Sequence, residues 1–154
     1  MPEPRAKAEE VKGHLRLALG FLGSAHIPAD ATEAEVRNAL SRSYYALFHI
    51  CQAWLANRGV PRQKRAQQGA LLDQIGRGRG QASKRQLAAF QGVREKADYQ
   101  PGLFTGEGIR GDPERFREFA WVEARRMRDE FNRYSSELET LLEARSDVRE
   151  DDDR

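Results

Sequence analysis

Residues 32–58 decide the fold and read TEAEVRNALSRSYYALFHICQAWLANR. Thr32, followed three residues later by Glu35, has the pattern of a capping box, in which each side chain bonds the other residue's backbone amide. Gly59 and Pro61 follow the stretch and are typical of a helix end. The pattern therefore predicts one helix that runs from about Thr32 to Arg58.

On a helical wheel this stretch has two distinct faces. An apolar stripe lies on one side and a polar stripe on the other, and the polar stripe is flanked by alanine and isoleucine. We therefore expect the helix to be buried nearly all round, so its polar groups need hydrogen bonds or a ligand. The apolar stripe holds Val36, Leu40, Tyr44, Leu47, Cys51 and Trp54, and the polar stripe holds Asn38, Arg42, Tyr45, His49 and Gln52.

Three shorter segments beside this stretch also have helical patterns. Apolar residues at steps of three and four predict a first helix over about residues 6–22, followed by a loop over residues 23–30. A third helix is expected over about residues 62–75. Residues 76–80 contain three glycines, which lose much backbone entropy on ordering, and this predicts a mobile basic loop. Ser83 is the expected cap of a fourth helix that ends near Tyr99.

A long last helix is predicted from Asp112, Pro113 and Glu114, which combine an N-cap acceptor, a proline at the first position and an acid. Its apolar face continues to Leu141, so it has roughly 33 residues and a length of about 50 Å. Residues 147–154 are charged without an apolar anchor and are expected to be an acidic, disordered tail. The sequence thus predicts an all-α antiparallel up-and-down bundle of about five helices, with one domain over residues 1–146.

Composition limits the class of protein further. No stretch approaches the roughly 18 apolar residues of a membrane span, and the charged N-terminus lacks a signal-peptide pattern. Cys51 is the only cysteine, which excludes an internal disulfide and fits a reducing compartment. Its place in the apolar stripe argues against nucleophilic catalysis. The expectation is a cytoplasmic domain without a membrane partner.

The net charge of +2 hides a strong asymmetry along the chain. Residues 58–96 hold ten lysines and arginines against two acids, so this segment carries +8 and the remainder −6. Such a basic stretch can attract nucleic acids, since neutralising phosphates releases counterions. An ordinary solvated surface is the alternative.

Two groups of polar residues could carry chemistry. Arg42 and His49 lie two turns apart on one helix face with Tyr45 between them, where arginine could hold phosphate and histidine could move a proton. The alternative is a solvated face or an internal hydrogen-bond network, which is the usual explanation of a single histidine. Arg94 and Asp98 are four residues apart, as in an ion pair, or as in an arginine held in position for a ligand.

Two motifs resemble the HEPN family. SRSYYALFH at residues 41–49 is similar to the R-x-YYA-x-F helix of that family, and REKADY at residues 94–99 is similar to its R-x-x-A-D-Y element. The resemblance implies a helical bundle that binds RNA or nucleotides and commonly dimerises. Many members are metal-independent ribonucleases of toxin–antitoxin or phage-defence systems. Here Asp98 stands at the position that aligns with their catalytic histidine, a departure from the active pattern.

On this resemblance the expected function is RNA binding, with metal-independent cleavage by a homodimer as its enzymatic form. The residues expected to contact RNA are Tyr45, Lys64, Arg65, Arg77 and Arg79, and the catalytic set would be Arg42, His49, Arg94, Asp98 and Tyr99. The alternative is a non-catalytic partner of a minimal nucleotidyltransferase, with the long helix as its interface. No cofactor and no metal are expected, because the three histidines form no Glu-x-x-His pair of the kind that metal-binding bundles use.

Overall fold

The computed structural model describes residues 4–100 and 112–152, and the side chains of residues 7–100 and 112–144. Within these ranges it contains α-helices, one 3₁₀ turn and no strand. The helices are α1 (Pro4–Gly23), α2 (Glu33–Asn57), α3 (Gln68–Arg79), α4 (Gln81–Tyr99) and α5 (Pro113–Asp152), and the 3₁₀ turn is Arg62–Lys64. The predicted all-α bundle with a long C-terminal helix is confirmed.

Helix α2 is the centre of the bundle and packs against α1, α5, α4 and α3. It begins at the predicted capping box: Thr32 accepts from the Glu35 amide at 3.2 Å, and the Glu35 carboxylate accepts from the Thr32 amide. All six residues of its predicted apolar stripe are at most 4% exposed. Burial of α2 on several sides explains why one helix can organise the whole core.

The expected loop at residues 76–80 is wrong, because α3 continues to Arg79. The glycines permit close packing instead of mobility. A Cβ atom on Gly78 would lie 2.9 Å from the Trp54 ring, and one on Gly76 would lie 3.0 Å from the Lys84 side chain. Only Gly80 breaks the helix, and its φ of 105° suits glycine at the turn into α4.

Two predicted helix starts are also wrong. Helix α3 begins at Gln68 instead of Arg62, because residues 62–64 form the 3₁₀ turn and Arg65 then turns into the core. Helix α4 begins at Gln81, directly after the Gly80 turn, so Ser83 lies inside its first turn and does not cap it.

The start of α5 agrees with its predicted signals, since the Asp112 carboxylate accepts from the Glu114 amide at 3.0 Å. Its core face is buried as far as Leu138, but Leu141 is 41% exposed. The helix continues to Asp152, through most of the segment that was expected to be a disordered tail.

Candidate functional site

The two motif helices meet at Arg94. Its Nη1 donates to the Tyr45 hydroxyl at 3.3 Å and to the Asp98 carboxylate at 3.2 Å. The guanidinium also lies over the rings of Tyr44 and Tyr45, 5.6 and 5.7 Å from their centroids. Ser41 of α2 donates to the same carboxylate at 3.4 Å. Arg94 is only 8% exposed, so this cluster holds α2 against α4 and leaves little of the guanidinium for a ligand.

His49 lies one turn along α2 from Tyr45, in an aromatic group with α1. The ring of Phe21 stacks on His49 with a centroid distance of 5.6 Å and contacts Tyr45 at 5.5 Å. Burial lowers the pKa of His49 below its usual value of 6.5. His49 is therefore a neutral imidazole at neutral pH, and it is partly covered by Phe21.

A buried polar network continues from His49 into α1 and the 3₁₀ turn. The Nδ1 atoms of His49 and His14 are 3.3 Å apart, and Arg65 Nη1 is 3.3 Å from His14 Nε2. Arg65 also donates to the side chains of Gln52, at 2.5 Å, and Glu10. Burial, with the charge of Arg65 next in importance, lowers the pKa of His14 to about 4. An internal hydrogen-bond network therefore includes His49 and Gln52 of the polar stripe, whereas Asn38 and Arg42 of the same stripe are exposed.

Two of the residues expected to contact RNA instead contact other residues of the protein. Arg65 is 1% exposed and its donors bond Gln52, Glu10 and the Val60 carbonyl. Arg79 stacks on the Tyr134 ring at 4.1 Å and pairs with Glu137. These contacts argue against phosphate binding by either residue, because both guanidinium groups are largely enclosed by the protein.

Other predicted site residues are on the surface. Arg42 is exposed and forms no ion pair or hydrogen bond with any residue that the structure describes. Tyr99 is 74% exposed at the end of α4. Lys64 and Arg77 are exposed and form no ion pair with a described residue, although the charge of Arg77 helps lower the pKa of Asp73. The structure thus brings Tyr45, Arg94 and Asp98 together, with His49 beside them, but leaves the remaining residues outside the cluster.

Sequence reasoning missed a second region, around Trp121 on α5. Trp121 is 54% exposed and lines two neighbouring cavities between α5 and the α1–α2 loop. Arg125 stacks on its ring at 5.5 Å from the centroid. Trp121 lies away from the α5 core face that contains Phe116 and Ala120, and that displacement was the available signal.

Metal-ligand groups and membrane-spanning helices are both absent from the described residues. No three His, Cys, Asp or Glu side chains in these ranges are grouped closely enough to hold a metal ion. None of the described helices combines the length and apolarity that crossing a bilayer requires.

Comparison of the chain with protein-family models, curated proteins and solved structures finds no match. The resemblance to the HEPN family therefore depends on the two motifs and on how they are arranged.

Proposed function

We propose that this protein is an RNA-binding helical protein of the HEPN type, which acts as a homodimer and does not itself cleave RNA. The observation that supports it is the direct contact between the two family-like motifs. Arg94 donates to Tyr45, 49 residues earlier, and Ser41 donates to Asp98. Two motifs far apart in the chain form one polar cluster, as expected of elements that work as a unit.

The geometry of the cluster favours binding over cleavage. Metal-independent cleavage needs a cation that is free to stabilise the phosphorane and a group that exchanges a proton near neutral pH. Arg94 is buried and ion-paired, and His49 has a lowered pKa and is covered by Phe21. The carboxylate of Asp98 would repel phosphate. We therefore assign these residues to the stability of the bundle.

Exposed cations of the basic segment support RNA as the ligand. Lys64, Arg77 and Arg85 are exposed, and none of them forms an ion pair or side-chain hydrogen bond with a described residue, although Arg77 is close enough to Asp73 to help lower the pKa of that carboxyl. Arg77 and Arg85 flank the Gly80 turn that joins α3 to α4. Exposed cations that form no ion pair can exchange condensed counterions for phosphates, which favours binding without sequence specificity.

The test is fluorescence anisotropy of a labelled, short single-stranded RNA at several salt concentrations. The triple variant Lys64→Gln/Arg77→Gln/Arg85→Gln should bind about tenfold more weakly, and the slope of log K against log salt should fall by about 2. The matched control Lys12→Gln/Arg16→Gln/Arg126→Gln removes the same charge from exposed positions outside the segment. Equal weakening by both triples, or no RNA binding at all, contradicts the proposal.

Cleavage is tested separately by incubating structured RNA with the protein in EDTA. We expect no cleavage by the wild type. Arg42→Ala is the informative variant, because Arg42 is exposed and its loss should leave the fold intact. Cleavage that is present in the wild type and lost in Arg42→Ala would make the protein a ribonuclease and overturn the non-catalytic assignment.

A second candidate function is that of a helical partner for a minimal nucleotidyltransferase. The observation that favours it is on α5, which continues to Asp152 and which, among the side chains described up to residue 144, buries none fully after Leu138 and exposes Leu141. Leu141 is 41% exposed next to Leu142, which packs against the core, so Leu141 is the apolar side chain that this end of α5 offers to another chain. Co-purification with a nucleotidyltransferase encoded beside this gene, lost in Leu141→Arg, would support this function, and an unchanged yield of complex would exclude that interface.

A further inference from the structure

The region around Trp121 has the composition of a nucleotide site. We infer that the two cavities beside Trp121 bind one nucleotide unit, with its base on the indole ring and its phosphate at Arg125 and Arg128. The unit could belong to a free nucleotide or to single-stranded RNA. The inference depends on the proposed function only for the RNA form of the ligand.

The first cavity fits an anion. Arg125, Arg128 and His26 line it, and no carboxylate does. Its volume of about 190 Å³ is small for a whole nucleoside but sufficient for a phosphate group. Ser43 also lines it, although its hydroxyl already donates to the Ala39 carbonyl at 2.8 Å. A concave surface with two guanidinium groups and no acid favours a ligand with negative charge.

The two arginines differ from their neighbours on the same helix. Arg126 pairs with Glu123 at 3.3 Å, and Arg133 pairs with Glu130 at 3.2 Å. Arg125 has Trp121 one turn earlier in place of an acid, so its guanidinium lies on an aromatic ring. Neither Arg125 nor Arg128 forms an ion pair with any residue in the described part of the chain. Their donors are thus available to a ligand.

The second cavity fits a base. It is a larger groove of about 920 Å³ that is open to solvent on one side. Ile27 and Pro28 form an apolar wall beside the exposed indole of Trp121. Arg117 donates to the Ala29 carbonyl at 3.5 Å and so ties this loop to α5. Exposed aromatic rings beside cations are the platforms on which proteins stack nucleobases.

The two cavities select different parts of a ligand. Glu114 and Glu118 line the second cavity together with Arg117, whereas the first has arginine and histidine without acid. A phosphate is therefore favoured in the first cavity and a neutral base in the second, on the two sides of Trp121. In one nucleotide the base and the phosphate are joined through a single sugar. The base can therefore lie in the second cavity while the phosphate lies in the first, on the other side of the indole ring.

The experiment uses the intrinsic fluorescence of Trp121. The chain has two tryptophans, and Trp54 is only 4% exposed, so a ligand reaches Trp121 alone. Adenosine 5′-monophosphate, adenosine and a short single-stranded RNA are titrated into the full chain. We expect saturable quenching by the monophosphate and weaker binding of adenosine. Because Trp121→Leu lacks the reporter ring, its binding is measured by calorimetry, where we expect loss of the monophosphate binding seen with the wild type. Quenching by RNA but not by the monophosphate would assign the site to RNA.

Charge variants separate the site from general electrostatic attraction. Arg125→Gln/Arg128→Gln should weaken monophosphate binding about tenfold, while Lys12→Gln/Arg16→Gln, which removes the same charge from exposed positions of α1, should change it by less than about twofold. Equal effects of the two pairs would overturn the site. So would a Trp121→Leu variant that binds every probe normally but changes the oligomeric mass, since Trp121 would then be a protein contact.

Anisotropy of labelled RNA, measured on the same variants, separates this inference from the proposed function. RNA binding that is unaffected by Trp121→Leu, with no quenching by the monophosphate, rejects the site and retains the function. Monophosphate binding at Trp121 without any RNA binding rejects the function and retains a free-nucleotide site.

Discussion

The Nδ1 atoms of His14 on α1 and His49 on α2 lie 3.3 Å apart, so one imidazole must donate a proton to the other. Arg65 determines which of the two rings is the donor. Its guanidinium can only donate hydrogen bonds, and its Nη1 lies 3.3 Å from His14 Nε2, so Nε2 must be an acceptor without a proton. Neutral His14 therefore has its proton on Nδ1 and donates it to His49, whose own proton is on Nε2. A second proton on either ring would bring two donors face to face.

Stability should consequently decrease as the pH falls from about 6.5 to about 4. Burial lowers the pKa of His14 to about 4 in the folded protein and lowers that of His49, against 6.5 in the unfolded chain. Between these values the unfolded chain binds more protons, so the free energy of unfolding rises with pH there and levels off above it. We expect the His14 contribution to be on the order of 2 kcal/mol.

Urea unfolding at several pH values measures this effect. Other carboxylates also titrate in acid, so the comparison is with His14→Gln, whose pH slope should be smaller than that of the wild type. His26→Gln removes an exposed histidine and serves as the control. A His14→Gln slope equal to that of the wild type would show that the pair does not oppose protonation.

Arg65 is predicted to be a structural residue with a large effect on stability. It is 1% exposed and connects Glu10, His14 and Gln52. Arg65→Ala leaves those partners without their donor, and losing one member of a buried charge network costs about 3–5 kcal/mol. Lys64→Ala, at the exposed neighbouring position, should change stability by less than about 0.5 kcal/mol. Denaturant midpoints of the two variants decide, and similar midpoints would contradict the network.

The helices were predictable where a local signal acts alone. Thr32 with Glu35, and Asp112 with Pro113, specify helix starts through contacts within one turn, and both starts are observed. The loop predicted at residues 76–80 was wrong because the entropy cost of glycine is a local property. The packing of Gly78 on Trp54, in contrast, joins positions 24 residues apart. No local pattern contains such a contact.

The candidate site was predictable in part for the same reason. The four-residue spacing of Arg94 and Asp98 predicts their ion pair, which the structure contains. The contact of Arg94 with Tyr45, and the turn of Arg65 into the core, depend on how α4 and the 3₁₀ turn dock on α2. The net charge of the segment counts every arginine alike, so it could not indicate that Arg65 is buried whereas Arg77 is exposed.

Arg94 should stabilise the fold through two kinds of interaction: a weaker hydrogen bond to Tyr45, and a stronger combination of the ion pair with Asp98 and the contacts with the tyrosine rings. Tyr45→Phe removes the acceptor of one hydrogen bond and should cost about 1 kcal/mol. Arg94→Ala also unpairs Asp98 and removes the cation from the Tyr44 and Tyr45 rings, so a larger cost of about 2–4 kcal/mol is expected. Thermal and urea unfolding measure both. Unchanged stability of Arg94→Ala would return Arg94 to the candidates for ligand binding.

Glycine-to-alanine changes at two helical positions should shift the free energy of unfolding in opposite directions. Alanine raises helix propensity by about 1 kcal/mol relative to glycine. A Cβ added at Gly92 in α4 would meet no atom within 4 Å, so Gly92→Ala should stabilise by about 0.5–1 kcal/mol.

At Gly78 the same methyl group would lie 2.9 Å from two ring carbons of Trp54. That ring is 4% exposed, and its Nε1 donates to Glu137 at 3.1 Å, so it has little freedom to move. Gly78→Ala should therefore destabilise by about 1–3 kcal/mol despite its better propensity. The free energies of unfolding in urea test the pair together. Stabilisation by both changes would mean that residues 76–79 do not pack on Trp54, whereas a loss at Gly78 with a gain at Gly92 supports packing as the reason why α3 continues through its glycines.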